Sequence, residues 1–132
     1  MSPAKKLPKQ PDIQLISNAV ITDGKGRVLL TRYDADDAER WWLPGTDLKP
    51  FEHPDAALRR ALDGLLSASK SSSLHHVESF RGRRGWHVMF NHLVKANARA
   101  ATPKGQWFAA DALPRMAHGQ WEHGVIAKAL QK

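Results

Sequence analysis

The sequence has no cysteine among its 132 residues. This absence excludes disulfide bonds, a thiolate nucleophile and every zinc or iron–sulfur site that needs cysteine ligands. The sequence also has no apolar run approaching the roughly 20 residues of a membrane span, and no signal-peptide-like stretch follows Met1. These absences predict a cytoplasmic protein with no membrane partner.

Acidic residues are few, since 13 Asp and Glu stand against 20 Lys and Arg, for a formal charge of +7. Residues 1–11 hold three lysines, three prolines and no acid, which predicts a disordered basic tail before one domain over residues 12–132. Without those lysines the chain keeps an excess of four positive charges. A modest excess of this kind suits an anionic small ligand or weak contact with nucleic acid.

Turn chemistry and hydrophobic periodicity predict the order of secondary structure. A hairpin is expected over residues 13–33, with its turn at Asp23-Gly24. Pro54 begins a helix whose apolar stripe comprises Ala57, Leu58, Ala61, Leu62, Leu65 and Leu66. Residues 67–73 form a flexible serine-rich turn, and strands over 74–80, 86–95 and 106–109 precede a helix over 120–130. This order predicts a mixed α/β layered domain.

Three segments resemble the Nudix hydrolase superfamily. Residues 42–45 read Trp-Leu-Pro-Gly, Glu52 follows, and Arg60 lies eight residues further, as in the family's box G-x5-E-x7-R-E-U-x-E-E-x-G-U. Residues 18–30 and 107–114 are similar to the family's opening hairpin and its late strand and turn. The resemblance implies a single-domain α/β/α sandwich around a mixed β-sheet.

The resemblance also implies a degenerate box. Three box glutamates of the family bind divalent cations, and their positions fall here on Ala61, Gly64 and Leu65. None of these side chains can coordinate a hard cation. Glu52 and Arg60 remain, a pair that in the family ties the loop to the helix. We expect Gly64 to lie within that helix, where glycine costs up to roughly 1 kcal/mol relative to alanine.

The first functional hypothesis is therefore a catalytically weak or inactive protein that binds a nucleotide or another phosphorylated ligand. Candidate ligand contacts are Arg32, Trp41, Arg81 and Arg84, because guanidinium groups bind phosphate oxygens and an indole can stack on a base. Trp41 is expected to be more exposed than Trp42. The other tryptophans (Trp86, Trp107 and Trp121) are expected at the core or its edge.

Two alternatives belong to other functional classes. The first is an active hydrolase of nucleoside-diphosphate-linked compounds that holds Mg²⁺ or Mn²⁺ through relocated carboxylates. Its candidate ligands are Glu52 and Asp63, with Asp47, Glu78 or Glu122 from other segments. The second is a protein- or nucleic-acid-binding module that uses the basic tail and the hairpin at residues 81–84.

The spacing of the seven histidines favours surface or core-edge positions over a metal site. The sequence leaves the oligomeric state open.

Overall fold

The computed structural model describes residues 12–33 and 39–131. The basic tail predicted over residues 1–11 lies outside this part of the chain. The strands are β1 (Ile13–Thr22), β2 (Arg27–Arg32), β3 (Trp41–Trp42), β4 (Gly45–Asp47), β5 (Ser71–Gly82), β6 (Gly85–Lys95) and β7 (Gly105–Ala109). The helices are α1 (Pro54–Leu62), α2 (Gln120–Leu130) and a 3-10 turn (Ala98–Ala100). No helix in the described ranges is both long and apolar enough to cross a bilayer.

β1 is the central strand of the sheet. It pairs parallel with β6 along its whole length, from Ile13 opposite Trp86 to Thr22 opposite Lys95. Its other edge is shared by β4, at Ile16–Asn18, and by β2, at Thr22 opposite Val28. The sheet order is β3-β2-β1-β6-β5, with β7 antiparallel to β2. The predicted hairpin and mixed sheet are confirmed.

The two faces of the sheet carry separate apolar clusters. Val20 and Val28 face α2, in a cluster with Leu43, Met116 and Ile126. The alternate residues of the same strands face α1 and comprise Ala19, Ile21 and Leu29, packed with Leu58, Leu65 and Val94. Since side chains alternate along a strand, apolar residues on both parities cover both faces. The predicted α/β/α sandwich is confirmed.

Helix α1 begins as predicted but ends earlier. Pro54 occupies its first turn, and the His53 ring Nδ1 accepts a hydrogen bond from the Asp55 amide at 3.0 Å. At the other end Asp63 is extended and Gly64 has a φ of 77°, a left-handed conformation that terminates a helix. The expectation that Gly64 lies within the helix is therefore wrong. Leu65, expected on the helix stripe, is buried in the turn that follows.

Two further expectations about local structure are wrong. Ser71–Ser73, predicted as part of a flexible turn, belong to β5 and pair with Lys95, Val94 and Leu93 of β6. Their pairing with a long partner strand overrides the weak strand preference of serine. Trp86 is 42% exposed instead of lying at the core edge, whereas Trp107 and Trp121 pack against the core as expected.

Candidate functional site

The loop before α1 is fixed by an ion pair between Glu52 and Arg60. Arg60 Nε donates to Glu52 Oε2 at 2.8 Å, and Arg60 Nη2 donates to Glu52 Oε1 at 2.7 Å. The same Nη2 donates to the Asp47 carbonyl oxygen, and the Lys49 amide donates to Glu52 Oε1. These hydrogen bonds, chiefly the one from Arg60, lower the pKa of Glu52 to about 2. Both carboxylate oxygens are therefore engaged by the protein.

A cleft of about 430 Å³ lies between the end of α1 and the strands β2 and β3. We call it the α1 cleft, and its lining comprises Thr31, Arg32, Trp42, Pro44, Gly45, Ala61, Asp63, Leu65 and Lys104. A side chain at Gly45 would clash with Asn18, so this glycine permits the pairing of β4 with β1 at the cleft floor. A second, larger groove runs along the other side of α1, past Glu52, Arg59 and Arg60. The α1 cleft is the better candidate site because a cation from β2, an indole and the turn after α1 converge there.

Arg32, which the sequence suggested as a ligand contact, belongs to the lining of the α1 cleft. Its guanidinium carbon is 5.7 Å from the centre of the Trp41 ring, a cation–π distance, and its Nη2 is 3.8 Å from Glu39 Oε1. The side chain remains 48% exposed. Arg32 is thus oriented by its neighbours, opposite Trp41 in the pairing of β2 with β3, and its side chain is partly exposed.

The two adjacent tryptophans are exposed in the opposite order from the one predicted. Trp41 is partly buried and packs edge to face on Phe108, at 4.9 Å between ring centres. Trp42 is 38% exposed, lines the α1 cleft and packs on Tyr33. Successive strand residues point to opposite faces, so only one indole of the pair can face the core. The indole available to a ligand is that of Trp42.

Lys104 is a cleft residue that the sequence analysis missed. Its Nζ lies 3.1 Å from the position that a Cβ on Gly64 would occupy. The loop that carries it is anchored to the turn after α1, since Thr102 Oγ1 donates to the Gly64 carbonyl oxygen at 2.7 Å and the Thr102 amide donates to the Leu65 carbonyl oxygen at 2.9 Å. Gly64 and Thr102 are 38 residues apart in the sequence, so local sequence patterns do not reveal this contact. The pairing of β7 with β2 brings the loop to the cleft.

The remaining predicted cations lie elsewhere. Arg81 and Arg84 belong to the β5–β6 hairpin, beyond β1 from the cleft, and line neither the cleft nor the groove. Arg84 Nη2 donates to Gln14 Oε1 at 3.2 Å. The lining of the α1 cleft therefore includes Arg32 but neither of these two arginines.

The carboxylates suggested as relocated metal ligands do not meet. Glu78 accepts hydrogen bonds from Asn91 Nδ2 and from Trp121 Nε1, at 2.9 and 3.0 Å. Glu122 is 1% exposed, and burial raises its pKa to about 7. Asp47 and Asp63 are exposed, and only Asp63 lines the α1 cleft.

Across residues 12–33 and 39–131, no three His, Asp or Glu side chains are arranged to hold a metal ion. The cleft residues therefore do not fit Mg²⁺ or Mn²⁺, which require clustered oxygen ligands.

Ser17 and His92 form a contact that sequence spacing does not reveal. The Ser17 hydroxyl donates to the Pro54 carbonyl oxygen at 2.9 Å and lies 3.2 Å from His92 Nε2. Ser17 is 0% and His92 1% exposed, so no substrate can reach this pair. Burial lowers the pKa of His92. The expectation that the histidines lie at the surface or core edge is wrong for His92. The Ser17 hydroxyl beside it anchors the start of α1 to the sheet.

No protein-family model and no curated protein matches the sequence, but solved structures do. A MutT NUDIX hydrolase from Burkholderia pseudomallei superposes with a TM-score of 0.69 at 25% identity, covering 89% of this chain and 98% of that one. A UDP-X diphosphatase superposes with a TM-score of 0.67 at 18% identity, covering 96% of this chain and 66% of that one. The chain therefore has the Nudix fold.

Two structures of Shewanella oneidensis NrtR are also similar to this chain. The NUDIX domain of Shewanella oneidensis NrtR, solved in complex with ADP ribose, superposes with a TM-score of 0.64 at 19% identity and covers 96% of this chain and 90% of the domain. NrtR complexed with a 27mer DNA matches with a TM-score of 0.69 at 19% identity, covering 87% of this chain. This chain spans 59% of that NrtR chain.

Proposed function

We propose that this chain binds a nucleotide or another phosphorylated ligand in the α1 cleft and is catalytically weak or inactive as a hydrolase. The observation that carries the proposal is the lining of the cleft. Ala61 and Leu65, at positions where the resemblance places metal-binding glutamates, contribute only hydrocarbon, and Asp63 is the single acidic residue of the lining. Metal-assisted phosphoryl transfer needs clustered carboxylates, whereas ligand binding needs cations and an apolar wall.

The class of ligand is inferred from the same residues. Arg32 supplies charged donors for phosphate oxygens, and the exposed indole of Trp42 offers a flat surface for a base. The complex of the similar NrtR NUDIX domain with ADP ribose supports a nucleotide-type ligand. A cytoplasmic location, where such ligands are abundant, remains part of the proposal.

Calorimetric titration with ADP ribose and ADP tests the proposal, together with a hydrolysis assay on both compounds in Mg²⁺ and in Mn²⁺. We expect saturable binding at one site per chain and no turnover above the rate without protein. Trp42→Ala should weaken binding of both compounds, because a base stacked on an indole contributes about 1–3 kcal/mol. Trp86→Ala is the matched control, since Trp86 is also exposed but lies on β6, away from the cleft.

Other results would favour the alternatives. Turnover that requires Mg²⁺ or Mn²⁺ and is lost in Glu52→Gln and Asp63→Asn would establish a hydrolase with relocated carboxylates. The nucleic-acid alternative rests on the exposed arginines of the β5–β6 hairpin (Arg81, Arg83 and Arg84). It predicts DNA or RNA binding that weakens steeply with salt and in Arg83→Gln/Arg84→Gln. Absence of binding to nucleotides and to nucleic acid would leave neither proposal standing.

A further inference from the structure

We propose that an uncovered apolar face of strands β1, β6 and β5 is the contact surface between two copies of this chain. Five large apolar side chains there have 39–50% of their surface exposed: Ile13, Leu15, Leu74, Val77 and Trp86. We call this set the exposed apolar face. None of the five belongs to the lining of the α1 cleft, so this surface is separate from ligand binding in that cleft.

The register of the three strands places these side chains on one side of the sheet. Ile13 lies opposite Trp86 in the pairing of β1 with β6, and Leu15 follows two residues later. Val77 and Leu74 lie opposite the fourth and sixth residues after Trp86 in β6. Since side chains at even spacing along a strand point to the same side, all five share one face.

Helix α1 covers only the other end of this side of the sheet. The Ser17 hydroxyl donates to the Pro54 carbonyl oxygen, so the helix begins above Ser17. Later residues of β1 with the same parity pack under the helix, in the apolar cluster with Leu58. Ile13 and Leu15 precede Ser17 and therefore lie beyond the start of the helix. A contiguous apolar patch left in solvent marks an interaction site on a folded domain.

The exposed apolar face carries little charge, although 25% of the residues in the chain are charged. Arg81 is the single Lys, Arg, Asp or Glu side chain on this side of the described strands β1, β5 and β6. Nucleic acid needs positive charge along its phosphates, whereas an apolar surface favours another apolar surface. Such a surface is present on every other copy of the chain.

The indole of Trp86 is prepared for burial in an interface. Its Nε1 donates to Ser79 Oγ at 2.6 Å, across the pairing of β5 with β6. The ring is therefore held by the sheet, and its polar group already has a partner. A second chain can cover the ring without leaving an unsatisfied N–H group, and little side-chain freedom is lost. Tryptophan is also enriched among the residues that contribute most to interfaces.

The size of the exposed apolar face suits a dimer. Five large side chains exposed to this extent present roughly 400 Å² of apolar surface. A standard interface buries about 800 Å² on each partner, of which a little over half is apolar. The face supplies most of that apolar share, and the polar side chains around it can supply the rest. Two sheets packed face to face about a twofold axis would each contribute this same surface.

Sedimentation velocity of the full chain, from low-micromolar to submillimolar concentration, tests the proposal. We expect a monomer–dimer equilibrium that shifts towards the dimer at high salt, because salt screens the repulsion between two chains of charge +7. Trp86→Ala and Val77→Lys should each weaken dimerisation about tenfold or more, since each substitution occurs twice in a twofold dimer.

Trp42→Ala and Ser73→Lys are the matched controls. Trp42 is another exposed indole but belongs to β3. Ser73 lies on β5 opposite Leu93, which packs on the α2 side of the sheet. Both controls should dimerise as the unchanged protein does. Thermal unfolding of all four variants separates a lost contact from lost folding.

Three other results would overturn the proposal. The first is a chain that stays monomeric at every concentration and salt, or a dimer that neither Trp86→Ala nor Val77→Lys weakens. The second is dimerisation that appears only after residues 1–11 are deleted, which would assign the face to that segment. The third is association that needs added RNA and weakens with salt, which would assign the face to nucleic acid.

Discussion

The two ends of helix α1 are held by different interactions. At its start, Glu52 and Arg60 tie the loop to the helix, and Ser17 binds the Pro54 carbonyl oxygen. At its end, the turn over residues 63–66 carries a left-handed glycine and a buried leucine. Charged and polar groups thus fix the start of the helix, whereas backbone conformation and apolar packing fix its end.

Substitutions at Leu65 test this difference with the largest expected effect. Leu65 is 4% exposed and packs with Leu29 and Leu58, so Leu65→Ala should lower the free energy of unfolding by about 2–5 kcal/mol. Leu65→Glu should lower the free energy of unfolding further, because it also places a carboxylate among apolar groups. Urea denaturation measures both. Ala61→Glu is the control, since residue 61 is only partly buried, and it should change stability much less. Equal stabilities of Leu65→Glu and the unchanged protein would contradict the observed burial.

Two glycine substitutions should shift stability by smaller amounts and in opposite directions. Gly64→Ala should lower the free energy of unfolding by about 1 kcal/mol or more, because residue 64 has a φ of 77° and its Cβ would press on Lys104. Gly124→Ala, within α2 and with open space around its Cβ, should raise it by about 0.5–1 kcal/mol. Thermal and urea unfolding measure both. If Gly64→Ala raised the free energy of unfolding, that result would contradict the left-handed conformation of residue 64 at the end of α1.

Loss of the Glu52–Arg60 ion pair should have the smallest effect on global stability, because Arg60 is 36% exposed and solvent screens the pair. The pKa of Glu52 is lowered to about 2 in the folded chain from 4.5. Since a lowered pKa favours the folded state above the unfolded pKa, the contribution is complete above about pH 5 and is lost as the pH falls towards 2.

Arg60→Gln should therefore be less stable than the unchanged protein at neutral pH, and the difference should shrink towards pH 2, where only the hydrogen bond from Arg60 to the Asp47 carbonyl oxygen remains. Urea denaturation across this pH range checks the trend, and hydrogen exchange of the Lys49 and Glu52 amides checks the loop. Arg59→Gln removes a neighbouring charge of the same kind and should show no such pH dependence. A difference in stability that is the same at pH 2 and at pH 7 would contradict a contribution from ionised Glu52.

The sequence predicted those elements whose signals are local. The Asp23-Gly24 turn, the proline at the start of α1 and the alternating apolar residues of β1 all act through their immediate neighbours, and the bounds predicted for α2 match those observed. The strands β3 and β4 have two and three residues, too few to show a period. They form because their partners β2 and β1 are already in place.

The candidate site was predicted less completely. Arg32 was identified because it ends a predicted strand, whereas Lys104 reaches the cleft only through the pairing of β7 with β2. The exposure of Trp41 and Trp42 was reversed because the parity of a two-residue strand depends on its register with β2. The early end of α1 was missed, although Gly64 was the available signal.

The parallel pairing of β1 with β6 also has a consequence for folding. Each residue of β1 lies beside a residue 73 positions later in the chain. The α1 cleft is lined by residues that lie between these two strands in the sequence and by Lys104, which follows β6. A long loop must close before the central pair contributes any stabilising contact, and closure of long loops slows folding. On the ribosome, the first strand therefore emerges well before its partner. The edge of β1 that pairs with β6 stays open until β6 has been synthesised, and an open strand edge exposes the chain to aggregation during this interval.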